Sequence, residues 1–137
     1  MVIVLGDYMY LEATGHKPCV DRTFLMSPRF PPNSFGDARC LKFDYNMYGR
    51  DIGSLTVRDE YGVALWRRSL PTEKDGENVW LTRTMTIPPS QRLFVFEFVR
   101  GGLTRHHDKG DIAIDNVLVT VGSCTGKKTT TVVVYHV

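Results

Sequence analysis

The chain has 137 residues, of which 42% are hydrophobic and 23% are charged, so it can bury one core but hardly two, and we expect one globular domain. The formal charge is +2 and the basic residues are scattered, which argues against a nucleic-acid or membrane-surface binder. The longest apolar run, residues 1–5, is far too short for a transmembrane helix or a signal peptide, and we expect neither in this chain.

The predicted elements are strands throughout. In the clearest example, residues 40–49, apolar side chains at positions 41, 43, 45 and 47 alternate with polar ones, as in a strand with one face on a core. No sustained helical periodicity is present. The sequence therefore predicts an all-β fold, an antiparallel β-sandwich with Greek-key or jelly-roll connections. In chain order, the strand-like runs cover residues 8–12, 40–49, 53–58, 63–67, 79–87, 93–99 and 112–121.

The residues after Cys124 differ in character from the rest. Gly126, Lys127 and Lys128 are followed by three threonines and by the run Val132-Val133-Val134-Tyr135. This high β-propensity predicts either an added strand or an aggregation-prone edge. We accordingly divide the chain into a sandwich domain over residues 1–124 and a tail or extra strand over residues 125–137.

The three cysteines leave two interpretations open. A bridge between Cys40 and Cys124 would leave Cys19 unpaired and would require an oxidising compartment. Closing so long a loop would stabilise the fold by about 4 kcal/mol in the chain-entropy model. The alternative is a cytosolic protein with three reduced, buried thiols.

Two acidic residues are unusual because each interrupts an apolar strand, Glu97 in residues 93–99 and Asp115 in residues 112–121. A buried carboxylate needs a cation or several hydrogen-bond donors. One interpretation is a Ca²⁺ site of oxygen ligands that includes Asp115 with Asp111 or Glu97. The other, which we favour because the chain offers no compact carboxylate cluster, is a salt bridge with Arg83 or Arg100, or exposure on a solvated face.

Motifs for catalysis are absent from the sequence. The segment His106-His107-Asp108 has no third metal ligand at a useful spacing, and no phosphate loop, nucleophile elbow or Cys-x-x-Cys pair occurs. Arg100, Arg105 and Lys109 form a basic loop with the two histidines. Such a loop is more typical of a solvated surface than of a site for acidic glycans.

The aromatic residues allow another function, the binding of carbohydrate. Trp66 and Trp80 are typical of core filling between sheets, but exposed rings aligned on one face with Tyr45 or Tyr61 would indicate a sugar-binding groove.

An ordered series of motifs runs from Gly6 to Cys124. It comprises Gly6-Asp7-Tyr8-Met9-Tyr10-Leu11-Glu12-Ala13, Ser27-Pro28, the Cys40 strand with Leu41, Phe43, Tyr45, Met47, Tyr48 and Gly49, Gly53-Ser54-Leu55-x-Val57, the set Trp66, Gly76 and Trp80, Phe96-Glu97-Phe98-x-Arg100-Gly101, the segment Gly110 to Val117, and Cys124. Each motif is weak alone, but together and in this order they resemble the MAM domain, an extracellular module named after meprin, the A5 antigen (neuropilin) and receptor tyrosine phosphatase mu.

The resemblance implies a β-sandwich of jelly-roll type, an oxidising compartment, a Cys40–Cys124 disulfide and, in some family members, a cation near the closing motif. This chain departs from the family by beginning after the first cysteine pair, and Cys19 has no counterpart. We therefore expect a domain that lacks its N-terminal strands, with an unpaired edge beside residues 8–12 that the tail at residues 129–135 covers in part.

For function, we predict a noncatalytic extracellular module for protein association, cell adhesion or ectodomain oligomerisation, located outside the cell or in a membrane-protein ectodomain. The expected partners are other extracellular proteins or the same module in another chain, with glycans as a lesser option and no nucleic acid. No cofactor is required, with Ca²⁺ the one candidate. The alternatives are a carbohydrate-binding jelly-roll module and an accessory domain of a secreted or membrane-bound enzyme.

Overall fold

The computed structural model describes residues 2–5, 8–12, 22–31, 36, 38–49, 53–69, 78–99, 110–125 and 129–134. These residues form ten strands and no helix, so none of them belongs to a helix long and apolar enough to cross a membrane. The strands are β1 (Val2–Leu5), β2 (Tyr8–Glu12), β3 (Arg22–Met26), β4 (Arg39–Gly49), β5 (Ser54–Asp59), β6 (Ala64–Ser69), β7 (Leu81–Ile87), β8 (Phe94–Val99), β9 (Gly110–Val121) and β10 (Thr129–Val134).

The strands are arranged in two antiparallel sheets. The six-stranded sheet has the order β1-β2-β9-β4-β7, and β10 also pairs with β9; the four-stranded sheet has the order β3-β8-β5-β6. Strands β2 and β10 pair with opposite ends of β9, at residues 111–114 and 118–121. This architecture confirms the predicted antiparallel sandwich of jelly-roll type.

The core lies between the two inner faces and is rich in aromatic side chains. Phe94, Phe96 and Phe98 of β8 alternate toward it and are fully buried, as the period of a strand requires. Phe43 of β4 meets Phe96 across the sandwich edge-to-face, with ring centroids 5.0 Å apart and an interplanar angle of 81°. Truncating such a ring to alanine costs about 3–5 kcal/mol.

The turn at residues 59–62 is held together by one carboxylate. Asp59 Oδ1 accepts hydrogen bonds from the backbone N–H groups of Tyr61 at 2.9 Å and Val63 at 2.8 Å. Gly62 adopts a φ of 84°, which a residue with a side chain would rarely take. These contacts fix the β5–β6 hairpin, in which Arg58 pairs with Glu97 of β8.

The expected edges of the six-stranded sheet are wrong in two respects. Strand β1 pairs with β2 in the register Leu5↔Tyr8, so β2 lies between β1 and β9 and not at an unpaired edge. The tail does form a strand, β10, but it pairs with β9 and not with β2. The pattern of β1 was missed because Val-Ile-Val-Leu is a continuous apolar run without the alternation of a half-exposed strand.

Strand β3 was also missed, for a different reason. Phe24, Leu25 and Met26 are three consecutive apolar residues, so the strand shows no period of two. In the structure, Leu25 packs against the core, whereas Phe24 and Met26 point to the outer face and are exposed. The apolar residues that hide the strand in the sequence are therefore surface residues.

Candidate functional site

The predicted disulfide is present. Cys40 lies in β4 and Cys124 follows the end of β9; the two are bonded, with their Cα atoms 4.8 Å apart. Since β4 and β9 are neighbouring strands, with Cys40 opposite Thr120, the bond joins two elements that already pair. The Cys40–Cys124 prediction is thus confirmed, while Cys19 lies outside the described residues.

Glu97 occupies the outer face of the four-stranded sheet, opposite to its phenylalanine neighbours. Its side chain is only 2% exposed. Oε1 forms an ion pair with Arg22 Nε at 2.9 Å, and Oε2 accepts a hydrogen bond from Arg58 Nε. Arg58 is held from its other end, because its Nη1 donates to the carbonyl oxygen of Gly62 at 2.9 Å. These two guanidinium groups supply the cations that a buried carboxylate needs.

The strand register explains which arginines reach Glu97. Its direct cross-strand neighbours are Phe24 in β3 and Thr56 in β5. Arg22 and Arg58 each lie two residues further along those strands, the diagonal position that long side chains can span. We call Arg22, Glu97 and Arg58 the charged cluster.

The salt bridge favoured for Glu97 is therefore present, but with different partners from those predicted. Arg83 lies in β7, with its guanidinium carbon 5.9 Å from the centre of the Trp66 ring. Arg100 lies outside the described residues.

Asp115 and Asp111 lie on β9, on the outer face of the six-stranded sheet. Asp111 is exposed and Asp115 is partly buried, directly opposite Asp44 of β4. The pairing of β4 with β9 shifts register just before Asp44, and Asn116 adopts a left-handed φ of 50°. The Asn116 backbone N–H donates to Asp115 Oδ1 at 2.6 Å.

Asp44 forms a local hydrogen-bond network that the sequence did not reveal. Its Oδ1 accepts from Thr82 Oγ1 at 2.6 Å and its Oδ2 accepts from Asn116 Nδ2 at 2.8 Å. Burial acts to raise the pKa of Asp44, but the two hydrogen bonds and the nearby charge of Lys42 outweigh it, so the pKa lies below its ordinary value.

The three acids predicted as cation ligands are not brought together. Glu97 belongs to the four-stranded sheet and is held by two arginines, whereas Asp111 and Asp115 belong to the six-stranded sheet. Across the described ranges, no group of three or more histidine, cysteine, aspartate or glutamate side chains is placed to hold a metal ion. A calcium site stays a prediction, centred on Asp115 and Asp111.

The four aromatic side chains considered for a sugar-binding groove do not all lie at the surface. Tyr45 is buried and Trp66 packs against the core, with their ring centroids 5.3 Å apart. The core role favoured for both tryptophans is confirmed for Trp66 and wrong for Trp80, which is 44% exposed just before β7. Tyr61 is exposed in the β5–β6 turn. The segment His106-His107-Asp108 lies outside the described residues.

Comparison with known sequences gives a consistent result. The family model described as MAM domain, meprin/A5/mu matches residues 4–125. The chain is 37% identical over 128 residues to MAM domain-containing glycosylphosphatidylinositol anchor protein 1 of Homo sapiens, covering 90% of this chain and 13% of that protein. It is 34% identical over 135 residues to MAM domain-containing protein 2 of Mus musculus, covering 93% and 18%. The chain thus spans less than a fifth of the length of these relatives.

Solved structures share the fold. The K1 cleaved adhesin domain of Lys-gingipain from Porphyromonas gingivalis W83 superposes with a TM-score of 0.61 at 16% identity, covering 85% of this chain and 75% of that one. The K3 cleaved adhesin domain gives a TM-score of 0.56 at 16% identity, covering 82% and 72%. At this identity the likeness shows a common sandwich fold, and the sequence matches supply the family: the chain belongs to the MAM domain family.

Proposed function

We propose that this domain is a noncatalytic extracellular module that associates with other proteins through its surface. The observation that carries the proposal is the disulfide between Cys40 and Cys124 within a sandwich of the MAM family. Structural disulfides persist in oxidising compartments, and the human relative is named a glycosylphosphatidylinositol anchor protein. Both points support an ectodomain location.

The described residues favour protein association over catalysis. The buried carboxylate of Glu97 is neutralised by Arg22 and Arg58, whereas a general acid or base must be able to exchange its proton with a substrate. Exposed apolar side chains, by contrast, occur on the outer face of β3 and at the start of β7. Each of these two places offers apolar surface for contact with another protein.

The aromatic side chains favour protein over carbohydrate as the partner. A sugar-binding face needs several exposed rings in one groove. Tyr45 and Trp66 are used to fill the core, and the exposed rings of Tyr61 and Trp80 lie apart along the chain, in the β5–β6 turn and just before β7.

The proposal is tested by displaying the chain on a pentameric scaffold and measuring its binding to mammalian cells by flow cytometry. A scaffold that carries the Cys40→Ala/Cys124→Ala variant is the matched control for folded structure. Pretreating the cells with trypsin should abolish binding, whereas pretreatment with heparinase and peptide N-glycosidase should leave it unchanged.

Two results would contradict this function. Binding that survives trypsin but is lost after glycosidase treatment would favour the carbohydrate-binding alternative. No binding to cells, combined with no aggregation of beads coated with the domain itself, would argue against protein association altogether.

A further inference from the structure

On one side of the sandwich, side chains from two edge strands meet between the sheets. Strand β6 ends the four-stranded sheet and β7 ends the six-stranded sheet. The Trp66 ring of β6 packs edge-to-face on Phe43 of β4, with ring centroids 5.6 Å apart, and Arg83 of β7 reaches the same tryptophan ring. We call this region the lateral seam, and it is formed by Tyr45, Trp66, Arg68, Leu81 and Arg83.

Two arginines of the lateral seam are oriented by aromatic rings. Arg68 lies on β6 and Arg83 on β7, each opposite a buried residue of the neighbouring strand. The Arg68 guanidinium carbon is 5.7 Å from the centre of the Tyr45 ring, and its Nη1 donates to Tyr45 Oη at 3.3 Å. Arg83 contacts the Trp66 ring in the same way, and both distances are within the range of cation–π interactions. Because both arginines remain exposed, these contacts pre-orient cations that solvent and ligands can reach.

The charged residues of β6 and β7 are all basic: Arg67, Arg68 and Arg83. None of the described carboxylates forms an ion pair with these three arginines, whereas the arginines of β3 and β5 are paired with Glu97. Arg67 lies opposite Thr56 on the outer face of its sheet, so Arg68 and Arg83 are the two that face the lateral seam. An arginine without a carboxylate keeps its planar set of N–H donors for a ligand, and the ligand that fits two of them is an acidic one.

Apolar surface adjoins the two cations. Leu81 lies opposite Tyr45, on the same face of β7 as Arg83, and it is 39% exposed. Val79, two residues before Leu81, is 46% exposed. A protein segment that carries both acidic and apolar side chains gains from both kinds of contact. A sulfated glycan supplies anions but is covered with hydroxyl and sulfate groups, so it gains little from the exposed leucine and valine.

We propose that the lateral seam binds a segment of a partner protein in which acidic and apolar side chains are close together. Arg68 and Arg83 each donate hydrogen bonds to one carboxylate of the segment, and the apolar side chains of the segment contact Leu81 and Val79. The rings of Tyr45 and Trp66 hold the two guanidinium groups in place for this contact. This inference rests on the proposed function and names the surface and the partner's chemistry.

The test titrates the isotopically labelled domain with an acetylated and amidated hexapeptide of alternating glutamate and leucine. A glutamine–leucine hexapeptide is the charge control, and a glutamate–serine hexapeptide is the control for apolar contact. We expect the glutamate–leucine peptide to shift the side-chain Nε–H signals of Arg68 and Arg83 and the indole N–H signal of Trp66. The Nε–H signal of Arg67, on the outer face, should stay in place. Each control peptide should bind about tenfold more weakly.

Protein variants localise the contact. Arg68→Gln/Arg83→Gln removes both charges but keeps part of each aliphatic stem over the rings, and we expect about a tenfold loss of affinity. Arg67→Gln, the same substitution one residue away on the outer face, is the matched control and should leave the affinity unchanged. If the glutamine double variant is unstable, Arg68→Lys/Arg83→Lys replaces it. That variant keeps the charge but loses the planar set of donors, so about a threefold loss is expected.

The inference is overturned if the double variants bind the glutamate–leucine peptide as tightly as the original chain, or if the glutamine–leucine peptide binds equally well. A heparin hexasaccharide that shifts the same arginine signals at lower concentration than the peptide would overturn it in favour of a sulfated glycan. Self-association in sedimentation that Arg68→Gln/Arg83→Gln removes would overturn it in favour of a second copy of this chain.

The cell-binding assay separates this inference from the proposed function. Pentameric Arg68→Gln/Arg83→Gln that binds cells as well as the original chain would overturn the seam as the contact surface but leave protein association standing through another surface. An original chain that neither binds cells nor aggregates beads would contradict the proposed function, whatever the peptide does.

Discussion

The outer faces of the two sheets each carry an acidic residue within an apolar strand, but they stabilise it in different ways. On the four-stranded sheet, Glu97 is buried and held by two guanidinium groups. On the six-stranded sheet, Asp115 and its cross-strand neighbour Asp44 are both partly exposed. Asp115 accepts from the Asn116 backbone N–H, and Asp44 accepts from the neutral side chains of Thr82 and Asn116. The depth of burial therefore decides whether a carboxylate needs cations or only hydrogen-bond donors.

The difference has an energetic consequence. Removing one cation from a buried ion pair leaves a charge without compensation, which is strongly destabilising. Removing a neutral donor from a partly exposed carboxylate costs much less, because water replaces the donor. We therefore predict the effects of variants on both sheets, from the largest expected effect to the smallest.

The largest effect is expected on the six-stranded sheet, at its covalent link. Replacing both Cys40 and Cys124 by alanine should lower the free energy of unfolding by about 4 kcal/mol, because the unfolded chain regains the entropy of the open loop. Urea denaturation measures the change, with Cys19→Ala as the matched control that should leave the midpoint unaltered. A loss below about 1 kcal/mol would show that strand pairing alone holds β4 against β9.

Breaking the charged cluster should have the next largest effect. Arg58→Met should lower the unfolding free energy by about 3 kcal/mol, at the lower end for a buried pair because Arg22 remains beside Glu97. Arg22→Met should cost less, since that arginine is more exposed.

The double variant Arg58→Met/Glu97→Gln provides the control, because it removes the buried charge together with its partner. It should be more stable than Arg58→Met alone in the same urea titration. If the double variant is the less stable of the two, the ionic account of this face is wrong.

Deleting residues 126–137 tests whether the tail is part of the six-stranded sheet. The deletion removes β10 and its pairing with residues 118–121 of β9, so we expect a loss of about 2 kcal/mol and lower solubility. Thermal unfolding and light scattering measure the two effects. A soluble, monomeric deletion variant with an unchanged midpoint would show that the tail contributes nothing to the domain.

The Asp44 network should give a smaller, pH-dependent effect. At pH 7, Asp44→Asn should lower the unfolding free energy by about 1 kcal/mol, because the amide keeps only one acceptor oxygen for Thr82 and Asn116. The folded pKa of Asp44 lies below the ordinary 3.8, so its stabilisation is complete above that value and is lost as the pH falls through the folded pKa.

Urea titrations of both proteins between pH 7 and pH 2 test this sign. The stability difference between the original chain and Asp44→Asn should shrink in the acid range. A constant difference over the whole range would mean that the charge of Asp44 makes no contribution.

The smallest expected effect concerns calcium. If Asp115 and Asp111 bind the ion with a dissociation constant near 1 mM, then 1 mM calcium should stabilise the fold by about 0.4 kcal/mol. Calorimetry should show a raised thermal midpoint that Asp115→Asn abolishes, while Glu97→Gln, on the other sheet, leaves the calcium-dependent increment intact. No increment at 10 mM calcium would remove the site.

Sequence patterns predicted the positions of strands, and the side chains that require a partner, more reliably than they predicted which residues those side chains contact. The alternation around Phe43 located β4 because the other face of that strand carries polar, partly exposed residues. Strand β3 escaped this test because Phe24 and Met26 are exposed apolar residues, and β1 because its run is apolar throughout.

The same limit applies to the sites. That Glu97 needs a cation follows from its neighbours in the sequence, but Arg22 and Arg58 reach it only through the strand order β3-β8-β5. Asp44 looks like an ordinary solvent-facing acid in an alternating strand. Its partners Thr82 and Asn116 lie 38 and 72 residues away along the chain, on the strands to either side of β4. Local periodicity carries no information about such contacts.

The position of the disulfide sets how the domain responds to mechanical force. A load applied at the C-terminal end of the described residues first strips β10 from β9 and then reaches Cys124. From there the covalent bond carries the tension directly to Cys40. The chain between the two cysteines, which includes most of β4 and all of β5 to β9, therefore cannot be extended by that load while the bond is intact.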